Sequence, residues 1–435
     1  MSIPVVTVGQ SREDLVGGLE RLHGPVTVVR RCAELPELLA ACQSGLARAA
    51  VVAEGSEGLT SSLVDRLSAV GVAIVALTDN ADEAARLRTI GVASALTGVE
   101  SAALSDRIAE AVSQLSGAGL RASARSSPAD PGDALKPVPA EPPPGTDDPG
   151  PGKIIAVWGP AGAPGRTTLA ANIAGELAAD GKGVILVDAD SYGASIAAVL
   201  GLLDESAGLA QACRLADQGL LDSGALEKIA APVAMKSGTF RVLTGITRAD
   251  RWTELRASAL ALVLGRAREI AEVVVVDAGF CLEADEELSF DTMAPRRNAA
   301  TLRSLELADT VFAVGAADPV GVPRLVRGLA ELDEAVPGVS PVVVMNKVRA
   351  SAVGRGPERQ LRDAWERYGP ASDLKGFLPH DGAAADAALL GGSLLLEAAP
   401  DSPLRHAIRE LVCAPAQQKR RSSVFSSTAS RQGKD

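Results

Sequence analysis

Aromatic residues, lysine and histidine are scarce in this chain of 435 residues. Aromatic side chains make up 3% of it, which leaves few platforms on which the bases of single-stranded nucleic acid stack. The formal net charge of −11 also opposes a general affinity for the nucleic acid backbone. Lysine supplies only nine of the 43 basic residues. An arginine is therefore expected at positions where other proteins carry a lysine.

Long hydrophobic runs and closely spaced cysteines are also missing. The longest apolar runs, such as Val273–Val276 and Leu394–Leu396, fall far short of the roughly 18 residues of a membrane-spanning helix. The opening residues MSIPVV lack the basic start of a secretory signal. Five cysteines lie far apart without a C-x-x-C spacing, which argues against a disulfide framework or a zinc site and favours buried thiols. These absences predict a cytoplasmic protein.

Length and composition predict two globular domains. A hydrophobic content of 47% against 22% charged residues suffices for large cores, and the chain exceeds the size of one ordinary core. We place the domains at residues 1–115 and 152–412. Residues 116–151 are rich in Pro, Ala, Ser and Gly and are predicted to be a disordered linker, while residues 413–435 form a basic, disordered tail.

In the first domain, β-branched runs alternate with amphipathic helical stretches, a pattern typical of a parallel α/β sheet. The predicted strands are Pro4–Val8, Pro25–Arg30, Ala49–Ala53, Val72–Leu77 and Ala93–Thr97. The predicted helices between and after them are Leu35–Ala41, Leu63–Val70, Glu83–Ile90 and Ser105–Leu115. This succession resembles a receiver-type, flavodoxin-like domain.

The resemblance fails at the receiver family's phosphoryl site. Glu54 stands where that family has its phospho-accepting Asp, and Gly9 and Gln10 replace its acidic pair. The resemblance therefore implies a pseudo-receiver used for contacts with other proteins. Glu54 either imitates a phosphorylated side chain or is an ordinary solvated carboxylate, and the sequence leaves both open.

The second domain begins with a phosphate-binding pattern. Residues 153–168 read KIIAVWGPAGAPGRTT, a strand and a glycine-rich turn, and a helix is predicted at Leu169–Ala179. Backbone N–H groups of such a turn face phosphate oxygens, and Gly162 and Gly165 permit the close approach. The proline at 164 removes one of these donors.

The end of this turn carries side chains suited to a nucleotide. Arg166 occupies the position of the usual lysine and can neutralise phosphate charge through its guanidinium. Thr167 is placed to bind Mg²⁺, and Thr168 follows it at the start of the helix.

Polar residues also follow three later apolar strands. Asp188 and Asp190 end one strand, Asp277 ends another, and Asn346 follows Val342–Met345. Because α/β folds place ligand groups at the carboxyl ends of their strands, this succession favours one shared site.

At these residues the chain resembles the ParA/MinD family of P-loop ATPases over roughly residues 152–412. The motifs stand in that family's order, and the stretch from Leu378 to Ser402 is similar to its closing segment. A receiver-like domain ahead of it makes the chain similar to the CpaE/TadZ branch, which places pilus assembly machinery at a cell site. The resemblance implies an α/β P-loop domain that binds ATP or ADP with Mg²⁺, forms a homodimer and changes partners with nucleotide state.

The resemblance also implies roles for individual residues. Arg166 and the loop amides hold phosphates, Thr167 and Asp277 organise Mg²⁺, and Asp188 supports that shell. Asp190 positions the attacking water, and Asn346 faces the adenine edge. The family's signature lysine is Ala161 here, so hydrolysis is predicted to be slow or absent. The arginines at 296 and 297 either supply the missing charge, are solvated, or pair with the acidic residues at 285, 286 and 287.

Three functions follow as alternatives. The first is a slow Mg-dependent ATPase that localises an assembly, and the second is a nucleotide-binding scaffold without turnover. The third is a DNA-partitioning ATPase, which the net charge opposes and only the basic tail supports. In each of them, the linker would let the first domain reach a partner without fixed contact to the second.

Overall fold

The computed structural model describes residues 2–9, 15–22, 24–124, 150–202, 206–283, 296–372 and 374–413. They form two α/β domains, each built on one largely parallel sheet, which confirms the predicted fold class. Most of the predicted linker and the whole predicted tail apart from Cys413 lie outside the described residues. No helix in these ranges is long and apolar enough to cross a membrane.

The first domain alternates strands and helices from beginning to end. Its elements are β1 (Ile3–Val8), α1 (Leu15–Arg21), β2 (Val26–Cys32), α2 (Leu35–Gln43), β3 (Ala49–Val52), α3 (Ser61–Ala69), β4 (Ala73–Leu77), α4 (Ala81–Thr89), β5 (Ala93–Ala95) and α5 (Ser101–Ala124). All five predicted strands are confirmed, and they form a parallel sheet in the order β2-β1-β3-β4-β5. This is the doubly wound flavodoxin order, with helices packed on both faces.

The second domain contains an eight-stranded sheet. Its first elements are β6 (Lys153–Trp158), α6 (Arg166–Ala179), β7 (Val184–Ala189), α7 (Ile196–Val199), α8 (Gly208–Asp217), α9 (Ser223–Ile229), β8 (Ala231–Met235), β9 (Gly238–Leu243), α10 (Ala257–Ile270) and β10 (Val273–Ala278). The remaining elements are α11 (Ala299–Leu307), β11 (Thr310–Ala316), α12 (Gly321–Ala335), β12 (Val342–Val348), α13 (Ala350–Val353), α14 (Pro357–Tyr368), β13 (Leu374–Pro379), α15 (Gly382–Leu390), α16 (Leu395–Ala398) and α17 (Pro403–Val412).

The strand order places the predicted motifs at one edge of this sheet. The order is β13-β12-β11-β6-β10-β7-β9-β8, and every neighbouring pair is parallel except the hairpin of β8 and β9. The strands β6, β7, β10 and β12, which carry or precede the predicted site residues, therefore end on the same side. This arrangement brings side chains from distant parts of the sequence together.

Helix α6 is held rigidly in the core. Its residues from Leu169 to Ala178 are all buried, because α16 and α17 cover the face that turns away from the sheet. Within that cover, Glu176 accepts a hydrogen bond of 2.7 Å from Nε of Arg405, and both side chains are largely buried. Removing one partner of a buried ion pair is strongly destabilising, because it leaves the other charge buried and unpaired. This pair therefore ties the later turns of α6 to α17.

The two domains contact each other directly. Asp217, the last residue of α8, accepts hydrogen bonds from the Ser61 hydroxyl at 2.9 Å and the Ser62 backbone N–H at 2.8 Å. Nη1 of Arg86 on α4 donates to the carbonyl oxygen of Gln218 at 2.9 Å. These serines lie in the first turn of α3, whose N–H groups have no partner within the helix and favour a carboxylate. The expectation of a first domain without fixed contact is corrected by this interface.

Helix α5 ends later than predicted. It continues to Ala124, whereas the sequence pattern places its end at Leu115. Four of the five cysteines are buried, as predicted, whereas Cys281 is only half-buried, contrary to the prediction. Burial raises the pKa of the Cys213 thiol to about 12.

Candidate functional site

A cleft of about 670 Å³ opens where the strands of the second domain end. It is lined by six of the predicted residues: Gly165, Arg166, Thr167, Thr168, Asp190 and Asn346. Asp188 and Asp277 are both 1% exposed and lie at the strand ends behind this lining. Gly162 instead faces a second, smaller pocket on the outside of the loop.

The glycine-rich loop connects β6 to α6 through unusual backbone angles. Gly162, Ala163 and Gly165 have φ values of 109°, 51° and 101°, all in the left-handed region. Glycine enters this region without steric cost, whereas the alanine is strained there. Because Gly165 directly precedes α6, the unpartnered N–H groups of the first helical turn lie at the cleft. A helix start of this kind is a suitable place for a phosphate.

Arg166 is folded back onto the loop that precedes it. Its Nη1 donates to the carbonyl oxygens of Gly159 at 3.0 Å and Pro160 at 3.3 Å. Its Nη2 lies 3.3 Å from Oδ2 of Asp190, with both side chains mostly buried. The cation predicted to hold phosphates is thus at the cleft, but it is paired with protein groups.

The two innermost carboxylates are neighbours across the sheet. Asp277 on β10 and Asp188 on β7 are register partners. The Thr167 hydroxyl donates to Oδ2 of Asp277 at 2.6 Å, while Oδ1 of Asp277 is buried and has no hydrogen-bond partner among the described residues. Asp188 accepts a hydrogen bond of 2.9 Å from the Ile196 N–H. Thr167 and Asp277 are therefore brought together as predicted.

Burial decides the charge state of this carboxylate pair. Burial raises the pKa of Asp188 to about 7, and the charge of Asp190 acts in the same direction. Burial, followed by the charge of Asp188, raises the pKa of Asp277 well above its usual range, and the hydrogen bond from Thr167 opposes this only in part. Two adjacent buried carboxylates require either a proton or a cation between them.

The chemistry of these residues fits Mg²⁺. An unpartnered carboxylate oxygen of Asp277 and the hydroxyl of Thr167 are hard oxygen donors of the type this ion prefers. No group of three or more metal-binding side chains occurs among the described residues. Mg²⁺ usually completes its coordination with water and substrate phosphates, so a site with few protein donors is consistent with a nucleotide-bound ion.

Both carboxylate oxygens of Asp190 accept hydrogen bonds. Its Oδ1 accepts from the N–H groups of Tyr192 at 2.8 Å and Gly193 at 3.1 Å, and its Oδ2 accepts from Nη2 of Arg166 at 3.3 Å. With a single contact, Oδ2 is the oxygen that can accept a further hydrogen bond. The role of Asp190 in positioning water stays a prediction.

Asn346 holds the glycine-rich loop through a hydrogen bond. Its Nδ2 donates to the carbonyl oxygen of Pro164 at 2.7 Å, and its Oδ1 accepts from the N–H of Lys347 at 2.7 Å. Nζ of Lys347 donates to the carbonyl oxygen of Ala163 at 2.8 Å. The side chain of Asn346 lines the cleft, and its contact with adenine stays a prediction.

Two aromatic residues of the cleft were not predicted from the sequence. Tyr192 and Phe280 line it with ring centroids 4.9 Å apart. His380 and Asp381, which belong to the predicted closing segment, line it as well. Asp381 accepts a hydrogen bond from the Ser402 hydroxyl at 2.7 Å, so the predicted closing segment does border the cleft. In a chain with 3% aromatic residues, an aromatic ring shortly after a strand-end carboxylate is a sequence signal for this part of the cleft.

Arg296 and Arg297, which follow β10 in the sequence, have different surroundings. The Arg297 guanidinium lies 3.9 Å from the centre of the Tyr192 ring, next to the cleft. Arg296 lines a cavity of about 400 Å³ that is bordered by both domains. The acidic residues proposed as partners, at 285, 286 and 287, lie outside the described residues.

In the first domain, Glu54 lies where the sequence predicts it. Its side chain is exposed, just beyond the end of β3. Glu54 packs closely against Gly9, since a Cβ added to this glycine would lie 2.7 Å from the Cβ of Glu54. Gln10 lies outside the described residues.

Comparisons with known proteins give similar folds only. No family model and no curated protein matches the chain. Solved structures that match it include the cell division ATPase MinD of Pyrococcus furiosus, at 19% identity over 60% of this chain and 97% of that one with a TM-score of 0.46. A ParA family ATPase of Chlorobium tepidum matches at 17% identity over 60% and 98% with a TM-score of 0.48. MinD of Pyrococcus horikoshii in complex with Mg-ADP matches at 18% over 60% and 94% with a TM-score of 0.44. At these identities the chemistry of the site must be argued from its own geometry.

Proposed function

We propose that residues 152–412 bind ATP and ADP together with Mg²⁺. The observation that carries this proposal is the contact between Thr167 and Asp277, where a hydroxyl and a buried carboxylate with one unpartnered oxygen meet directly below a glycine-rich loop. A helix start, a loop with left-handed backbone angles and hard oxygen donors are together suited to a phosphate and its counterion.

Each predicted residue has a role in this proposal. Thr167 and Asp277 would hold Mg²⁺, with Asp188 adjacent to them, and the ion would neutralise phosphate charge. The amides around Gly165, Arg166 and Thr168 would contact phosphates, and Gly162 would shape the outer side of the loop. Asn346 keeps the loop in position through Pro164 and would face the base.

Phosphate binding would compete with an existing ion pair. Arg166 donates to two loop carbonyls and to Asp190 in the structure, so a phosphate that binds Nη2 would weaken the contact with Asp190. Releasing Asp190 would free its Oδ2 to orient water. Because Ala161 lacks a cation, we propose slow hydrolysis, with a nucleotide-binding scaffold without turnover as the second candidate.

We further propose that nucleotide state controls homodimerisation and thereby localises a cytoplasmic assembly. The resemblance to the CpaE/TadZ branch supports pilus or secretion machinery as that assembly, and the net charge of −11 argues against DNA as the track. Protein contacts of the first domain would use surfaces other than α3 and α4, since those helices contact the second domain. A fluorescent fusion with and without residues 1–115 tests this role. Foci on the nucleoid that survive the deletion would favour DNA partitioning instead.

Thermal melting of the full chain tests nucleotide binding. At one hundred times its dissociation constant, Mg-ATP should add about 2.7 kcal/mol of stability. The variant Thr167→Val should lose most of this gain, because it removes a hydroxyl that faces Asp277. The matched control is Thr89→Val, an exposed helical threonine of the first domain. Absence of both a melting shift and a calorimetric heat for the wild type would overturn the proposal.

A further inference from the structure

An arginine from α12 lies against the outside of the glycine-rich loop. Arg324 comes so close to Gly162 that a Cβ added to this glycine would lie 2.6 Å from Nη1 of the guanidinium. The side chain is exposed, and among the described residues it has no hydrogen bond or ion pair. The positive charge of Arg324 thus lies beside Gly162, the residue that directly follows Ala161.

The pocket around Arg324 is separate from the main cleft. It measures about 100 Å³ and is lined by Pro160, Ala161, Gly162, Asp318 and Arg324, among others. Asp318 is the acidic residue of this pocket, but its Oδ1 accepts from the N–H groups of Val320 at 3.0 Å and Gly321 at 2.8 Å. Its carboxylate caps the start of α12, and within the described part of the chain it forms no ion pair with Arg324.

Arg324 differs from the other cations at the loop. Arg166 donates to the carbonyl oxygens of Gly159 and Pro160, and Nζ of Lys347 donates to that of Ala163. Of the three cationic side chains that the described structure places at the loop, only Arg324 keeps all its donors available. A planar guanidinium with free donors is well suited to the oxygens of a phosphate.

We propose that Arg324 binds the terminal phosphate of a nucleoside triphosphate and supplies the positive charge that Ala161 lacks. This inference rests on the proposed nucleotide binding and deepens it, because it assigns the preference for a triphosphate over a diphosphate to a residue outside the loop. A side chain at position 162 would be strained by its φ of 109° and would also push the guanidinium of Arg324 aside.

The phosphate bound by Arg324 could come from either of two nucleotides, which present the same chemical group. It belongs either to the nucleotide of the same chain, extending past Gly162, or to the nucleotide of a second copy that faces the exposed outer side of the loop. Protein concentration separates the two sources. A preference for triphosphate that is present in the monomer indicates the first source, and one that appears only with self-association indicates the second.

The test compares dissociation constants of Mg-ATP and Mg-ADP for the full chain by calorimetry. One charge-assisted contact changes affinity by about ten- to a hundredfold. Arg324→Gln should therefore weaken Mg-ATP by about that factor and leave Mg-ADP unchanged. The control Arg327→Gln removes an exposed arginine one turn further along α12 and should change neither.

A second variant keeps the test independent of folding. Adding Ala161→Lys to Arg324→Gln should restore the preference for Mg-ATP, because it returns a cation to the same side of the loop. Equal weakening of both nucleotides, or no weakening at all, would overturn the role of Arg324 while leaving the proposed function intact. A wild-type chain that binds neither nucleotide would overturn both.

Discussion

Nη2 of Arg166 lies 3.3 Å from Oδ2 of Asp190, so the side chain expected to hold phosphate is paired with the one expected to orient water. Both groups are mostly buried, which strengthens their attraction relative to a surface pair. In the proposed site, a phosphate that binds Nη2 of Arg166 would weaken this ion pair and leave Oδ2 of Asp190 freer to accept a hydrogen bond from water.

Replacing Asp190 should separate binding from turnover. In Asp190→Ala, Arg166 loses its carboxylate partner, so we expect Mg-ATP affinity to be retained or increased. Any ATP hydrolysis of the wild type should disappear. Calorimetry and a steady-state phosphate-release assay on the same preparation measure both effects. Loss of nucleotide binding in this variant would contradict the competition between Asp190 and phosphate for Arg166.

The buried carboxylates should make the metal-free protein sensitive to pH. Because burial raises the pKa of Asp188 from 3.8 to about 7, the folded state holds a proton that the unfolded state has released between these values. The free energy of unfolding should therefore fall as pH rises from about 4 to about 7. Urea denaturation in the presence of a chelator, at several pH values, measures this slope.

Asp277 contributes to the same slope with the same sign, because its pKa is also raised. Asp277→Asn should make the slope shallower and should remove the stabilisation by Mg²⁺ with nucleotide. The exposed Asp106 provides the control, since Asp106→Asn should leave the slope unchanged. An equal slope in wild type and Asp277→Asn would show that Asp277 does not hold the proton.

The loop should not tolerate a side chain at Gly165. This residue has φ of 101°, and a Cβ there would lie 2.3 Å from Nδ2 of Asn346, which holds the loop. Gly165→Ala should therefore lower both stability and nucleotide affinity. Gly181→Ala is the matched control, because φ is 90° there but nothing lies within 4 Å of an added Cβ. Similar losses in the two variants would attribute the effect to backbone strain alone.

The interface between the domains should depend on Asp217. Removal of its carboxylate in Asp217→Ala leaves the Ser61 hydroxyl and the Ser62 N–H without their acceptor. We expect a weaker contact between domains, seen as a larger radius of gyration by small-angle scattering. The exposed Asp250 serves as a control in Asp250→Ala. An unchanged radius for Asp217→Ala would show that other contacts hold the domains together.

The first domain should not accept a phosphoryl group. Glu54 stands at the end of β3 in place of an aspartate, and Gly9 has no carboxylate to bind Mg²⁺. Incubation with a small phosphodonor should leave the mass of residues 1–115 unchanged. A stoichiometric adduct in this region would contradict the interpretation as a pseudo-receiver.

The sequence by itself determined the strands and the residues that follow them. Alternation of β-branched runs with amphipathic segments located all five strands of the first sheet, and the site residues after β6 and near the carboxyl ends of β7, β10 and β12 did line up at one edge. This succeeded because periodicity and turn chemistry act over a few neighbouring residues, and because the ends of parallel strands necessarily meet.

Only the tertiary structure decided how these residues pair. The contact between Arg166 and Asp190, the brace from Asn346 to Pro164, and the approach of Arg324 to Gly162 join different elements of the fold. No local pattern encodes such contacts, since they depend on how helices pack on the sheet and which side-chain rotamers that packing leaves open. For the same reason, the carboxylate at the end of α8 became an anchor for the first domain only when folding placed it at the start of α3.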